Sequence, residues 1–391
     1  MPQISKKQLR EKVVTVLKKQ GYKVNDNGFS LKDNTRETKR DVHSLAKKER
    51  ITKSEKFILN NIDFISANMV NGSDLDIRKI EPQIIEVKEG SKYEKLFRWW
   101  NLVWWSLPYE HAYGRQMRFV VWDKYHKAPI GLIGLQSPIL SWSVRDNHLG
   151  INKKDRDYWV NQSMSAQRLG ALPPYNYILG GKLVASLMTT DIVRKKFEKK
   201  YSGKNTLLKN RKLPSKLLFI TTTGAYGKSS VYNRLKYNGN VISKFIGYTK
   251  GSGSFHIPNT LFEDFVKYLE KKDYNIKRGY GNGPSRKMRL INQAMDCLGI
   301  ANGSSHGIQR AVYLFPMAKN LEDVIQKNKK PIWINRTIDE ITRYWRDRWI
   351  MPRLSQRENY KDFSIDHFVS ETKLEVESFC KGKNKMKTKK K

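Results

Sequence analysis

Apolar and polar positions alternate along this chain with two periods, and the switch between them is sharpest near residue 220. Leu217, Leu218, Phe219 and Ile220, followed by three threonines, make a short apolar and β-branched run bounded by glycine, the pattern of a buried strand. Gly224 and Gly227 then let the backbone turn out of that strand. Ser229 and Ser230 stand where they can cap a helix carrying Val231, Tyr232 and Leu235 on one face. Gly247, Gly251 and Gly253, with His256 close behind, read as a second strand leaving through a glycine loop.

Upstream, residues 4–20 place Ile4, Leu9, Val13, Val16 and Leu17 on one stripe with lysines opposite and Gly21 as the stop, so a helix is expected. A turn and short strand follow at residues 28–31, and residues 36–60 read as a charged helix bearing His43. That helix is either a basic arm for DNA or a solvated face. Pro82 keeps residues 76–87 extended. Phe97, Trp99, Trp100, Trp104 and Trp105, with Tyr109 and Tyr113 beyond, are interleaved with Arg98 and can stack on exposed bases, although rings of this area more often form core. Residues 115–122 and 129–135 are expected as an antiparallel hairpin.

Farther on, Arg145 and Asp146 form either a structural ion pair or a polar pair beside a site, and residues 155–159 read as a polar link. Pro173 and Pro174 fix a bend, after which Gly180, Gly181 and Lys182 open a helix with Leu183, Val184 and Leu187. Residues 195–214 are a lysine-rich connection. Helices at 261–271 and 285–298 flank a glycine loop at 279–284, and a turn at 303–307 holds His306. A late strand at 312–315 precedes a helix at 341–349, and the basic end, residues 381–391, carries too little apolar surface to fold. The pattern divides the chain into a basic, mainly helical region 1–90, an α+β core 91–316 and a C-terminal helical extension with a disordered tail, 317–391.

Composition sharpens the choice of partner. With 75 Lys and Arg against 37 Asp and Glu, the 391 residues carry a formal charge of +38, which favours a polyanionic partner such as DNA or another nucleic acid. No secretory signal opens the chain and no apolar run approaches the length of a membrane span, so a cytoplasmic protein is expected. Cys297 and Cys380 lie far apart and seven histidines are scattered, so neither a disulfide framework nor a metal site is indicated.

The candidate chemistry sits at two lysine-bearing glycine bends. Gly180, Gly181 and Lys182 form one, and Gly227, Lys228, Ser229 and Ser230 the other; each can present helix N-terminal amides and a cation to an anion. If both face one hollow, they share a ligand; the alternative is that the glycines only permit sharp turns. The segment 222–229, TTGAYGKS, is close to a nucleotide-binding P-loop, yet Thr222 stands where that motif needs glycine, and no strand ending in aspartate follows.

Several stretches together resemble the DruA family of the Druantia anti-phage defence system. They are His111, Ala112, Tyr113, Gly114 and Arg115 with Met117, Arg118 and Phe119; Ile130 to Leu135; Arg145 with Asp146; and Gly170 to Tyr175 running into Leu179 to Ala185. Thr221 to Thr223, Gly227 to Leu235, Ile246 to Thr249, and Phe255 with His256 complete the set, which reaches from near the N-terminus to about Phe315. The resemblance implies antiviral defence beside a large helicase-like component and other system proteins. The family usually has arginine where Lys228 stands, which keeps the charge but does not suit a P-loop.

The order of elements is similar to that of a GCN5-type N-acyltransferase, implying an α+β fold with a central mixed sheet, a helical basic N-terminal region and a C-terminal helical appendage. Such a domain cradles the pyrophosphate of an acyl-CoA on a glycine loop, here residues 177–182, although Lys182 occupies a place where a small residue is usual. The ligand is then an acyl-CoA or a nucleotide. Two functions are carried forward: a nucleic-acid-binding defence component, and a group-transfer enzyme with Tyr232 and His256 as candidate acid–base groups. Arg115, Arg118, Arg145, Asp146, Asn233 and Arg234 are expected as nucleic-acid contacts or structural polar groups. A mobile-element protein that processes DNA ends would need clustered carboxylates, and no clear acidic triad is visible.

Overall fold

The computed structural model describes residues 4–105, 107, 114–206, 209–277 and 285–387, the side chains of 382–387 excepted. Tyr109, the family motif at His111, Ala112 and Tyr113, and the glycine loop at 279–284 lie outside the described residues.

The strands are β1 (Tyr22–Val24), β2 (Phe29–Leu31), β3 (Pro82–Glu86), β4 (Gln116–Asp123), β5 (Ala128–Gln136), β6 (Ser163–Ala171), β7 (Phe219–Thr223), β8 (Lys236–Tyr237), β9 (Asn240–Val241), β10 (Lys244–Tyr248) and β11 (Ala311–Pro316). The helices are α1 (Lys6–Lys19), α2 (Arg36–Leu59), α3 (Ile62–Ser66), α4 (Lys92–Val103), α5 (Ser143–Leu149), α6 (Arg156–Val160) and α7 (Gly180–Leu187). They continue as α8 (Asp191–Tyr201), α9 (Asn259–Glu270), α10 (Arg286–Cys297), α11 (Leu321–Lys327), α12 (Ile338–Trp345) and α13 (Ile365–Lys387).

Seven strands form one mixed sheet in the order β10-β11-β7-β6-β5-β4-β3. All neighbouring pairs are antiparallel except β6 and β7. The side-chain alternation of β4 explains why both faces are covered. Met117, Phe119 and Val121 enter a core shared with α7 and α12, while Val120 and Trp122 enter one shared with α2, α4 and α13. Helix α7 sits close on the sheet: a Cβ on Gly131 would clash with the backbone of Gly170 and with Val184.

A separate core joins α1 and the β1–β2 hairpin to α9 and α10 through Leu9, Val13, Leu17, Tyr22, Phe265 and Leu290. Ser5 and Gln8 start α1 with a reciprocal capping box, which satisfies two otherwise unpaired amides. Each core therefore draws on segments far apart in sequence.

Several expectations are corrected. No helix follows Ser229: residues 230–233 make a turn, and Arg234 takes a left-handed conformation (φ 60°) that ends it. The chain goes directly into the β8–β9 hairpin, whose Asn238 and Gly239 both have positive φ, as a tight two-residue hairpin turn requires. The strand β6 was not foreseen, the lysine-rich connection begins with the end of α8, and the link at 155–159 contains most of α6. The C-terminal end, expected as an unfolded tail from residue 381, continues α13 as far as Lys387.

Candidate functional site

The parallel pair β6–β7 organises the site. The two strands pair from Ser163–Phe219 to Ala166–Thr222, where Thr222 Oγ1 donates to the Ala166 carbonyl at 2.8 Å. Beyond that rung β6 continues to Ala171 against β5, whereas β7 stops at Thr223. The two central strands part, and a cleft of about 590 Å³ lies at the fork. Gln167, Leu169 and Gly170 line it from β6, Thr222 and Thr223 from β7.

Both glycine bends reach this cleft, though not with every residue expected. Gly181 and Lys182 line it from the first, Ser229 and Ser230 from the second, and a Cβ built on Gly181 would lie 3.3 Å from Val231 Cγ2. Gly180, by contrast, is a packing residue: a Cβ there would come within 2.5 Å of the Tyr175 carbonyl oxygen. Gly227 and Lys228 are not among the lining residues, and the Lys228 ammonium lies 5.8 Å from the centre of the Phe245 ring.

The backbone amides are mostly committed elsewhere. In the first bend those of Asn176, Tyr177, Ile178, Gly180 and Lys182 donate to carbonyls of the same loop at 2.9–3.2 Å. In the second, the Ser229 amide donates to the Tyr313 hydroxyl at 2.9 Å, and the amides of Val231 and Tyr232 donate to Ser229 Oγ at 3.2 and 3.4 Å. An anion entering here meets side chains first. Lys182 stacks its ammonium 4.0 Å from the Trp349 ring centre; burial, with repulsion from Arg353, lowers its pKa to about 8. Arg357 lines the cleft while donating to the Tyr177 carbonyl at 3.0 Å. No Asp or Glu occurs among the described lining residues.

Trp104, Trp105, Gln167, Asn176 and Arg357 are among the lining residues that the sequence did not single out as a site. Ring size favours core for the tryptophans, and Trp99 and Trp100 are core, each with no exposed surface. Trp104 is held by its indole N–H donating to the Ala171 carbonyl at 3.1 Å, and the Asn176 amide oxygen is buried without a partner among the described residues. The loop containing Asn176 was legible as a proline bend, but no local signal pointed to Arg357.

The two proposed acid–base groups are separated. Tyr232 lines the cleft, yet its hydroxyl donates to the Leu169 carbonyl at 2.7 Å and burial raises its pKa further. His256 lies in the core of α1, α9 and α10's helical unit beside Tyr22 and Phe29, and its Nε2 bonds the Gly303 carbonyl at 2.8 Å. Burial lowers its pKa to about 4.

The remaining polar candidates are dispersed. Arg115 donates to the carbonyls of Asn161 and Ser163 and packs over Phe197. Arg145 is fully buried: it donates to Asp146 at 2.6 and 2.8 Å, and to the carbonyls of Ile139 and Leu140 at 2.7 and 2.8 Å. The Asp146 carboxylate also accepts the Trp142 amide at 3.0 Å, so the pair clamps the chain ahead of α5. Arg118, Asn233 and Arg234 are exposed. Among the described residues no group of three or more His, Cys, Asp or Glu is placed to hold a metal, and no helix is long and apolar enough to cross a membrane.

No solved structure matches this chain. The family described as Druantia protein DruA matches over residues 33–327. A protein named Druantia protein DruA from Escherichia coli (strain UMEA 4076-1) is 36% identical over 359 residues, spanning 90% of this chain and 89% of that protein. The chain belongs to the DruA family.

Proposed function

We propose that this protein is a nucleic-acid-binding component of a Druantia-type anti-phage defence system. It acts in the cytoplasm with other proteins of the system, including a large helicase-like component. Family membership supports the defence role. The observation that carries the nucleic-acid reading is the cleft at the strand fork, which pairs Lys182 and Arg357 with no carboxylate among its described lining, in a chain of net charge +38. Anions are drawn to such a surface over distances of about a Debye length, and the cleft offers them a place to stop.

Titration of the purified protein with duplex and single-stranded DNA tests this. Affinity is expected to fall by about a thousandfold between roughly 50 and 200 mM salt, because each phosphate neutralised releases counterions. Weak binding that does not respond to salt would overturn the reading.

A second reading is favoured by one observation. The β4–β5 hairpin, the proline bend and the glycine loop opening α7, followed by β7 and the late strand β11, keep the element order by which the sequence is similar to a GCN5-type N-acyltransferase-like domain. On that reading the cleft takes an acyl-CoA and the protein transfers a group to nucleic acid. Fold alone does not establish chemistry, and the committed amides of residues 176–182 supply little of a pyrophosphate cradle. Calorimetry with acetyl-CoA checks it, and no heat of binding would remove it.

A further inference from the structure

We infer that the cleft at the β6–β7 fork receives a single unpaired nucleotide of a nucleic-acid strand, its base against Trp105 and its phosphate met by Lys182 and Arg357. This rests on the nucleic-acid reading above and specifies which part of the polymer the cleft recognises. The cavity, about 590 Å³, is within the roughly 300–1,000 Å³ typical of small-molecule sites. A base still stacked in a duplex cannot enter a cleft of this kind; it must be at an end, in a gap, or turned out of the stack.

The lining carries the parts that such a guest needs. Trp105 is half-buried and its ring edge lies over Gly170, where a Cβ would be in van der Waals contact with Cζ2 at 3.6 Å, so the indole borders the cleft beside the β6 backbone. Trp104, fixed through its indole N–H, gives that side of the cleft a rigid aromatic wall. Gln167 and Asn176 bring amide groups capable of both donating to and accepting from a base edge, and the Asn176 amide oxygen has no partner among the described residues. Lys182 and Arg357 supply positive charge from the α7 side and from the segment before α13.

The same inventory argues against a coenzyme A site. A pyrophosphate is ordinarily held by free loop amides, and here five amides of residues 176–182 already donate to carbonyls. What remains is aromatic faces, side-chain amides and two cations, the combination by which single strands are bound.

The test uses oligonucleotides carrying the fluorescent base 2-aminopurine either in an unpaired overhang or inside a duplex, in deoxyribose and ribose versions. With the unmodified protein, the overhang probe is expected to change emission several-fold on binding and the duplex probe hardly at all; the two sugar versions report whether DNA or RNA is the source. Trp105→Ala should abolish the change and weaken overhang binding by about tenfold, a loss typical of one base–aromatic stack. Ser230→Trp, at an exposed position on the cleft, should fill it and give the same result without touching the core. Equal responses from the overhang and duplex probes, or a response that survives both substitutions, would overturn the proposal while leaving nucleic-acid binding intact. Displacement of the overhang probe by free coenzyme A at lower concentration than by unlabelled oligonucleotide would also overturn it. Failure to bind any nucleic acid would instead strike at the reading on which it rests.

Discussion

At the scale of single residues, the buried pair Arg145–Asp146 shows how a polar motif can be structural. The guanidinium has no exposed surface, and burial lowers its pKa while Asp146 pulls it back up. Asp146→Ala would leave that cation buried among carbonyls alone, and a loss of about 3–5 kcal/mol is expected in denaturant unfolding. Replacing both residues by apolar ones of similar size should cost less, and a cycle of single and double variants checks the difference. The two residues were recognisable in sequence as adjacent opposite charges. What decided their role was the capture of the Ile139 and Leu140 carbonyls, a contact set by the path of the loop and not by composition. For the same reason Tyr232 and His256 looked alike as acid–base candidates, although only Tyr232 reaches the cleft.

Among the elements, those with a clean period were legible. The stripe of α1, the alternation of β4 and β5, and the glycine start of α7 all lie within a few residues of where the pattern puts them. The central strand β6 was hidden because Ser163, Gln167 and Arg168 interrupt its apolar positions. Arg168 is nevertheless buried, with its Nε donating to Asn101, a partner on α4 that no local pattern reveals. The helix expected after Ser229 had its cap but not its continuation, since Arg234 and the Asn238–Gly239 turn redirect the chain. The bend before α7 makes its own prediction. Gly180→Ala should cost about 1–3 kcal/mol, because the added methyl would lie 2.5 Å from the Tyr175 carbonyl oxygen, whereas Gly181→Ala meets the two Val231 methyls at 3.3 and 3.5 Å and should cost less. Denaturation midpoints check the order, and a reversed order would mean that the bend is held differently.

For the whole molecule, net charge was readable from composition alone, but the way distant segments share cores was not. The helical unit of α1, α9 and α10 illustrates what such sharing does to stability. His43, His256 and His306 are buried around Phe255, with pKa values lowered by burial to about 4, 4 and 3. Below their ordinary value of 6.5 the unfolded chain takes up protons that the folded chain refuses, so stability is complete above that pH and is lost as pH falls toward 4. At pH 5 the loss is on the order of 2 kcal/mol per histidine. Melting temperatures measured from pH 7.5 to 5 should drop steeply in that window, and less so in a His306→Gln variant. The last helix packs back on the first third of the chain: Phe368 stacks on Trp100 with ring centres 5.4 Å apart, and Val376 and Cys380 are buried in the same layer. During synthesis, those indoles leave the ribosome some 270 residues before their cover, so a translating ribosome carries a nascent chain with an open aromatic face, and premature release before residue 368 yields a product inclined to aggregate.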